Sequence, residues 1–207
     1  HKSIDVPVRI IPNGFDPPTS LKAERKNRIL VATRMFERKG VQFVIRALAG
    51  METDWDVCVA GDGPYLPTLK QLARDLGVKV EFLGMVPRDE LQVLYATSRV
   101  FVLMSSQENF PMVLLEAMAG GCAVVTSSTS GCAEVAGGAG VLVEPENELA
   151  LREALSRLLR DDREIARIAR LGLDRVALFG WDRIASEFAA LFREHVDTRS
   201  LVDAPRR

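Results

Sequence analysis

Apolar runs of strand length alternate along this chain with segments whose apolar positions recur at helical spacing. The strand-length runs are 28–33, 55–60, 78–82, 100–104, 123–126 and 140–143, rich in β-branched and aromatic residues. Their nearly continuous apolar character is that of strands buried on both faces. Between them lie helical patterns over 41–49, 64–77, 88–97 and 111–120, with a short turn near 132–136. Pro64 and Pro111 stand where a first helical residue is expected. After the last strand only helical patterns follow, over 147–160, 161–179 and 181–196, and then a polar tail expected to fray. This order predicts an α/β domain: a Rossmann-like, doubly wound parallel sheet of about six strands with extra C-terminal helices.

Composition narrows the partners. A chain of 207 residues with a hydrophobic fraction of 47% supports one sizeable core. A net charge of −1 gives no electrostatic reason to expect nucleic acid. No apolar run approaches the roughly 20 residues of a membrane-spanning helix, and no basic-then-apolar opening reads as a signal peptide. Cys58, Cys122 and Cys132 lack metal-site spacing and suit a reducing compartment, so a cytoplasmic location is expected. His1 and His195 are the only histidines, which leaves little for a histidine triad or a histidine-rich metal site.

In an open parallel sheet the loops leaving the carboxyl ends of the strands build the ligand crevice. Three such loops carry unusual residues here. Thr33–Gly40 holds Arg34, Arg38 and Lys39; Gly61-Asp62-Gly63 follows the second strand; Ser105–Pro111 follows the fourth. With strand order 3-2-1-4-5-6, the first and fourth loops face one cleft at the point where the order reverses; the sequence alone leaves the order open. Arg34 can grip a phosphate through two N–H groups and Lys39 adds a compact charge, although such a loop can also be a solvated surface. Glu116 sits in the apolar helix pattern Val113–Ala119, so its carboxylate is expected to be mostly buried and to need a donor. A ribose diol supplies two donors; a structural partner is the other choice. Glu108 precedes the same helix, where free backbone N–H groups suit a phosphate and the glutamate reaches past it to sugar hydroxyls. A simple cap-region acid remains the alternative for Glu108.

The glycine loop at 61–63 is a weaker signal, because a tight turn uses the same residues. Neither the dinucleotide-binding G-x-G-x-x-G nor the G-x-x-x-x-G-K-S/T phosphate loop is present. Asp54-Trp-Asp56 matches a metal-binding D-x-D pattern, but it opens a strand at the end opposite the expected cleft and is read as a coincidence. The arginines at 160, 163, 167 and 170 could touch anionic lipid, though Asp161, Asp162 and Glu164 among them favour a solvated face.

From about Ile10 to Val196 the chain resembles the carboxyl-terminal, nucleotide-sugar-binding half of glycosyltransferase family 4 (group 1) enzymes, which have the two-domain GT-B fold. The resemblance rests on an ordered set: Pro12-Asn-Gly-Phe-Asp16, Val31-Ala-Thr-Arg34 with Arg38-Lys-Gly40, Gly61-Asp-Gly-Pro64, Phe82-Leu-Gly-Met-Val86, Phe179-Gly-Trp181, and the paired glutamates of Glu108-Asn-Phe-Pro-Met-Val-Leu-Leu-Glu116. It implies an entry segment between domains over 1–27, a donor-binding domain over 28–180, and a final helix and tail over 181–207. By this resemblance Arg34 and Lys39 neutralise the departing diphosphate with Arg38 beside them, Glu108 holds the transferred sugar and Glu116 the ribose. Backbone at Met85 and Val86 meets the base next to Gly61, Asp62 and Gly63. Backbone around Phe110, Pro111, Met112 and Val113 meets the sugar and distal phosphate. Asn109 replaces the family's usual Gly, which bears on how the donor sugar fits; Met104-Ser105 and Ser130-Gly-Cys-Ala-Glu134 are further departures.

The implied reaction is retaining transfer of a sugar from a UDP-, GDP- or ADP-linked donor to a glycan, lipid or other hydroxyl acceptor. No metal and no covalent cofactor are required, and the full enzyme could touch the cytoplasmic face of an anionic membrane. The amino-terminal acceptor domain of the family is absent from this sequence, so the half is expected to bind donor with little turnover. The rival readings are a stand-alone nucleotide- or sugar-binding module served by a partner chain, and another GT-B relative such as a sugar-nucleotide epimerase or a starch-synthase-like enzyme.

Overall fold

The computed structural model describes residues 8–17 and 23–202, with side chains through Glu194. Parts of the expected entry segment (1–7 and 18–22) and the end of the tail (203–207) lie outside the described residues.

Six strands form the sheet: β1 Lys26–Ala32, β2 Asp56–Ala60, β3 Glu81–Gly84, β4 Ser98–Leu103, β5 Ala123–Ser127 and β6 Gly140–Val143. All pair in parallel, in the order β3-β2-β1-β4-β5-β6. The expected α/β class and the conditional strand order are therefore both observed. Helices α1 Val41–Leu48, α2 Leu66–Asp75, α3 Arg88–Thr97, α4 Met112–Ala119, α5 Ser130–Ala136, α6 Glu148–Leu158 and α7 Asp162–Val176 accompany the strands. Burial on both faces holds for the centre, where Ile29, Leu30, Val100, Phe101, Val124 and Val125 are all fully buried. The edge strands β3 and β6 are only partly covered, because an edge has no neighbour on one side.

Helix starts depart from the proline signal. α2 begins at Leu66, with Pro67 rather than Pro64 in its first turn. Leu66 N donates to Gly63 O at 3.1 Å and Tyr65 N to Met35 O at 3.0 Å, so residues 63–66 are spent on a turn first. Pro111 is the cap of α4, its ψ of 94° being extended, and Met112 is the first helical residue. Conversely, the turn expected near 132–136 is a helix that starts at Ser130, where Ala133 N reaches Thr129 O at 2.8 Å.

The chain divides into two compact units: Pro17–Ala177, which contains the sheet, and a smaller one built from the described residues 8–16 and 178–202. In the smaller unit, Phe15 N donates to Phe179 O at 2.7 Å, and helix α8, Trp181–Val202, presents the Trp181 ring to Gly14.

Candidate functional site

The strand order reverses between β1 and β4, and a crevice opens outside the carboxyl ends of the strands at such a point. A cavity of about 380 Å³ lies there, within the size range of small-molecule sites. Its walls come from the three loops singled out above, together with the segment after β3 and the starts of α3 and α4. Arg34, Lys39 and Glu108 line it, as do Gly61, Asp62, Met85 and Val86, and the run Phe110, Pro111, Met112 and Val113. Arg38, Gly63, Asn109 and Glu116 do not line it.

Backbone hydrogen bonds hold the loops together. Thr33 N donates to Ala60 O at 3.1 Å and Met35 N to Asp62 O at 2.9 Å, tying the first loop to the second. Gly61 N donates to Gly84 O at 2.6 Å, tying the second to the end of β3. Gly61 has φ +127° and its Cα faces the Thr33 carbonyl, where a Cβ would collide; only glycine fits this junction. On the other side, Ser106 N donates to Arg38 O at 2.9 Å. The Ser105 hydroxyl, with one proton, lies 3.1 Å from both Arg38 O and Gln107 O, while Ser127 Oγ donates to Ser105 O at 2.6 Å. The cation loop and the glutamate loop are thereby one framework.

Lys39 Nζ donates to Glu108 Oε1 at 2.5 Å, a pairing that the sequence did not reveal across 69 positions. The two side chains are 14% and 13% exposed, so the pair is partly withdrawn from water. Arg34 and Arg38 are exposed, and their guanidinium carbons stand 5.5 and 6.0 Å from the centroid of the Phe36 ring. A phenyl face favours such cations, which keeps positive charge at the cavity rim. No side chain caps the α4 N-terminus; Leu114 N turns back to Pro111 O at 3.0 Å, which leaves the N–H groups of Met112 and Val113, on the cavity wall, to face an acceptor.

Glu116 is mostly but not fully buried, as expected: α4 turns Leu114, Leu115, Ala117 and Met118 into the core and leaves Glu116 beside α3. Its partner there is Tyr95, whose hydroxyl donates to Glu116 Oε2 at 3.1 Å. Tyr95 and the cavity residues Ala60 and Leu91 were not singled out from sequence, and Ala32 and Thr33 only as members of the Val31–Arg34 motif, without a role. Leu91 had a readable signal, since it lies in the first turn of the helix following Met85 and Val86. Asp54 and Asp56 sit at the amino end of β2, away from the cavity, and no cluster of three or more metal-ligating side chains occurs among the described residues. In the arginine stripe, Arg167 pairs with Glu164 at 2.7 Å and Arg170 with Asp174 at 3.3 Å. No helix among the described residues is long and apolar enough to cross a membrane.

A switch-point cavity with cations on one loop and a glutamate on the facing one stands where an open α/β sheet takes its ligand. Comparison with known proteins gives the family. The chain belongs to the glycosyl transferases group 1 family, whose model matches residues 14–172. It is 34% identical to an exopolysaccharide phosphotransferase of Streptomyces coelicolor, over 95% of this chain and 21% of that protein. It is 32% identical to an uncharacterized glycosyltransferase of Methanocaldococcus jannaschii, over 90% of this chain and 54% of the relative. To a GDP-mannose-dependent α-(1-6)-phosphatidylinositol monomannoside mannosyltransferase of Mycobacterium tuberculosis it is 29% identical, over 91% of this chain and 55% of the relative. The chain thus spans about half the length of these relatives, or less. Among solved structures, sucrose-phosphate synthase from Thermosynechococcus elongatus superposes with a TM-score of 0.77 at 27% identity, over 92% of this chain and 53% of that one. HepE from Anabaena in complex with UDP gives 0.75 at 25% identity, over 82% and 49%.

Proposed function

We propose that this chain is the donor-binding part of a retaining glycosyltransferase that takes a nucleoside diphosphate sugar. The observation that carries the reading is the cavity at the switch point, with Arg34 and Lys39 on one wall, Glu108 on the facing one and the uncapped start of α4 beside them. A diphosphate fits such surroundings because two cations and a helix terminus together offset its charge. The base lies along Met85, Val86 and the 61–63 loop, Glu116 takes the ribose, and Glu108 with Asn109 meets the transferred sugar. HepE, a relative in fold, is known in complex with UDP, which supports a diphosphate in this cavity.

In the transfer step, the bond between the anomeric carbon and the distal phosphate oxygen breaks. The acceptor oxygen bonds to the same face of the sugar, and its proton passes to the leaving phosphate oxygen. Arg34, Lys39 and the α4 N–H groups stabilise the charge that develops on that oxygen, and loss of one such stabiliser costs roughly 10²–10³ in rate. The acceptor-binding part is proposed to lie outside this sequence, so the chain alone binds donor and turns over little.

Calorimetry with UDP, GDP, ADP and their hexose conjugates tests the reading. One diphosphate series is expected to bind, and Lys39→Ala to weaken it about 10- to 100-fold, the worth of one charge-assisted contact. A folded sample that binds none of these ligands would overturn the assignment.

A further inference from the structure

Beside the cavity, α3 and α4 run together, and the two helices contribute to it in the same way. Leu91 on α3 and Val113 on α4 line the cavity. One turn further along each helix stand Tyr95 and Glu116, joined by the hydroxyl-to-carboxylate hydrogen bond of 3.1 Å. Tyr95 is 3% exposed, and its ring meets Phe101 of β4 edge-on, with centroids 5.7 Å apart. The α4 backbone is close against it, since a Cβ on Gly120 would fall on the Tyr95 side chain. The phenol is therefore held by the core, and it holds one oxygen of a mostly buried carboxylate. Burial, and then the neighbouring Glu116, push the phenol's pKa well up, so it stays a donor. Among the described residues this is the only hydrogen bond to the Glu116 carboxylate.

We infer that Tyr95 is a positioning residue: it fixes the Glu116 carboxylate so that the other oxygen, Oε1, accepts from the ribose hydroxyls of the bound nucleotide. The inference rests on the donor-site reading above. A carboxylate free to rotate at the edge of a cavity must be ordered by the ligand each time, and that ordering weakens binding. The buried phenol does the ordering in advance. The alternative is that the hydrogen bond merely ties α3 to α4, which would affect stability and all ligands alike.

Tyr95→Phe keeps the ring contact and removes only the hydroxyl. In the full 207-residue chain, calorimetry would compare uridine, guanosine and adenosine diphosphates with their 2′,3′-dideoxy counterparts. The wild type is expected to prefer the ribose form of its nucleotide. Tyr95→Phe is expected to lose about 3- to 10-fold for the ribose form and little for the dideoxy form, as for one hydrogen bond to a charged group. In Glu116→Gln, adding Tyr95→Phe is expected to cost little more, because the residue acts through Glu116. Equal loss for both ligand forms, no loss at all, or full additivity with Glu116→Gln would each overturn the inference. So would a wild type that binds diphosphates without preferring ribose. A folded wild type that binds no diphosphate would instead sink the donor-site reading itself.

Discussion

Lys39 and Glu108 reach each other from opposite sides of the switch point, Nζ to Oε1 at 2.5 Å, each side chain less than one-seventh exposed. The proposed donor needs both residues for different ends of itself, the lysine for phosphate and the glutamate for sugar. Here each satisfies the other, so a diphosphate must compete with the carboxylate for the ammonium. Glu108→Gln removes that competitor while keeping a polar side chain of the same shape. Its affinity for the free nucleoside diphosphate is expected to rise about 3- to 10-fold, while the sugar nucleotide gains less because its hydroxyl contact suffers. Calorimetry with both ligands reads the difference; a variant that binds the free diphosphate no more tightly would refute the competition.

Charge, not a divalent ion, is proposed to hold the diphosphate. Arg34 is exposed at the rim, and exposed charges are screened by salt over about 10 Å at 0.1 M. Nucleotide binding is therefore expected to weaken steadily with ionic strength and to be unchanged by EDTA. Arg34→Gln is expected to flatten the salt dependence and to cost about tenfold in affinity at low salt. Binding abolished by EDTA and restored by magnesium would contradict this account.

Much of this site is legible in the sequence, for a simple reason. Parallel β-α alternation forces strand-end loops to one edge of the sheet, so Arg34, Gly61 and Glu108 had to share that edge. Their convergence then depended only on strand order, which proved to be the order that joins β1 to β4. What escaped was pairwise and tertiary. Nothing local tells Lys39 that its partner is 69 residues on, or Glu116 that a tyrosine from α3 will meet it. The apolar neighbours of Glu116 foretold its burial, but pattern records composition around a helix and not which neighbouring helix will supply the partner. Pro64 and Pro111 misled by one or two residues, since a turn or an extended cap uses proline as well as a first helical turn does.

Cys122 is fully buried behind the α3–α4 seam and its thiol donates to Tyr95 O at 3.1 Å. Burial pushes its pKa from 9.0 up to about 12. Between those values the unfolded chain releases the proton and the folded chain keeps it. The stabilisation is therefore complete below pH 9.0 and is lost as pH rises toward about 12. Thermal unfolding of wild type and Cys122→Ala across the alkaline range should show the wild-type advantage shrinking once pH passes 9.0. A gap that stays constant through that range would mean that the thiol does not contribute to the pH dependence.

Gly131 offers a way to move the glutamate loop without touching a ligand-binding side chain. It stands in the first turn of α5, and a Cβ added there would fall on the carbonyl oxygens of Glu108 and Asn109. Those atoms are backbone, so no side chain can swing aside to relieve the contact. Gly131→Ala must push the loop away from α5 or tilt the helix, at a cost of about 1–3 kcal/mol in stability. Either movement changes the approach of Glu108 to Lys39 and to the sugar. The variant is expected to remain folded with a lowered unfolding midpoint, to bind free nucleoside diphosphate nearly as wild type does, and to lose about tenfold of any preference for the sugar-bearing form. Combined with Glu108→Gln, it should reduce that preference no further, because both changes act through one carboxylate. If Gly131→Ala leaves the sugar preference intact, the position of Glu108 does not set how the sugar is held.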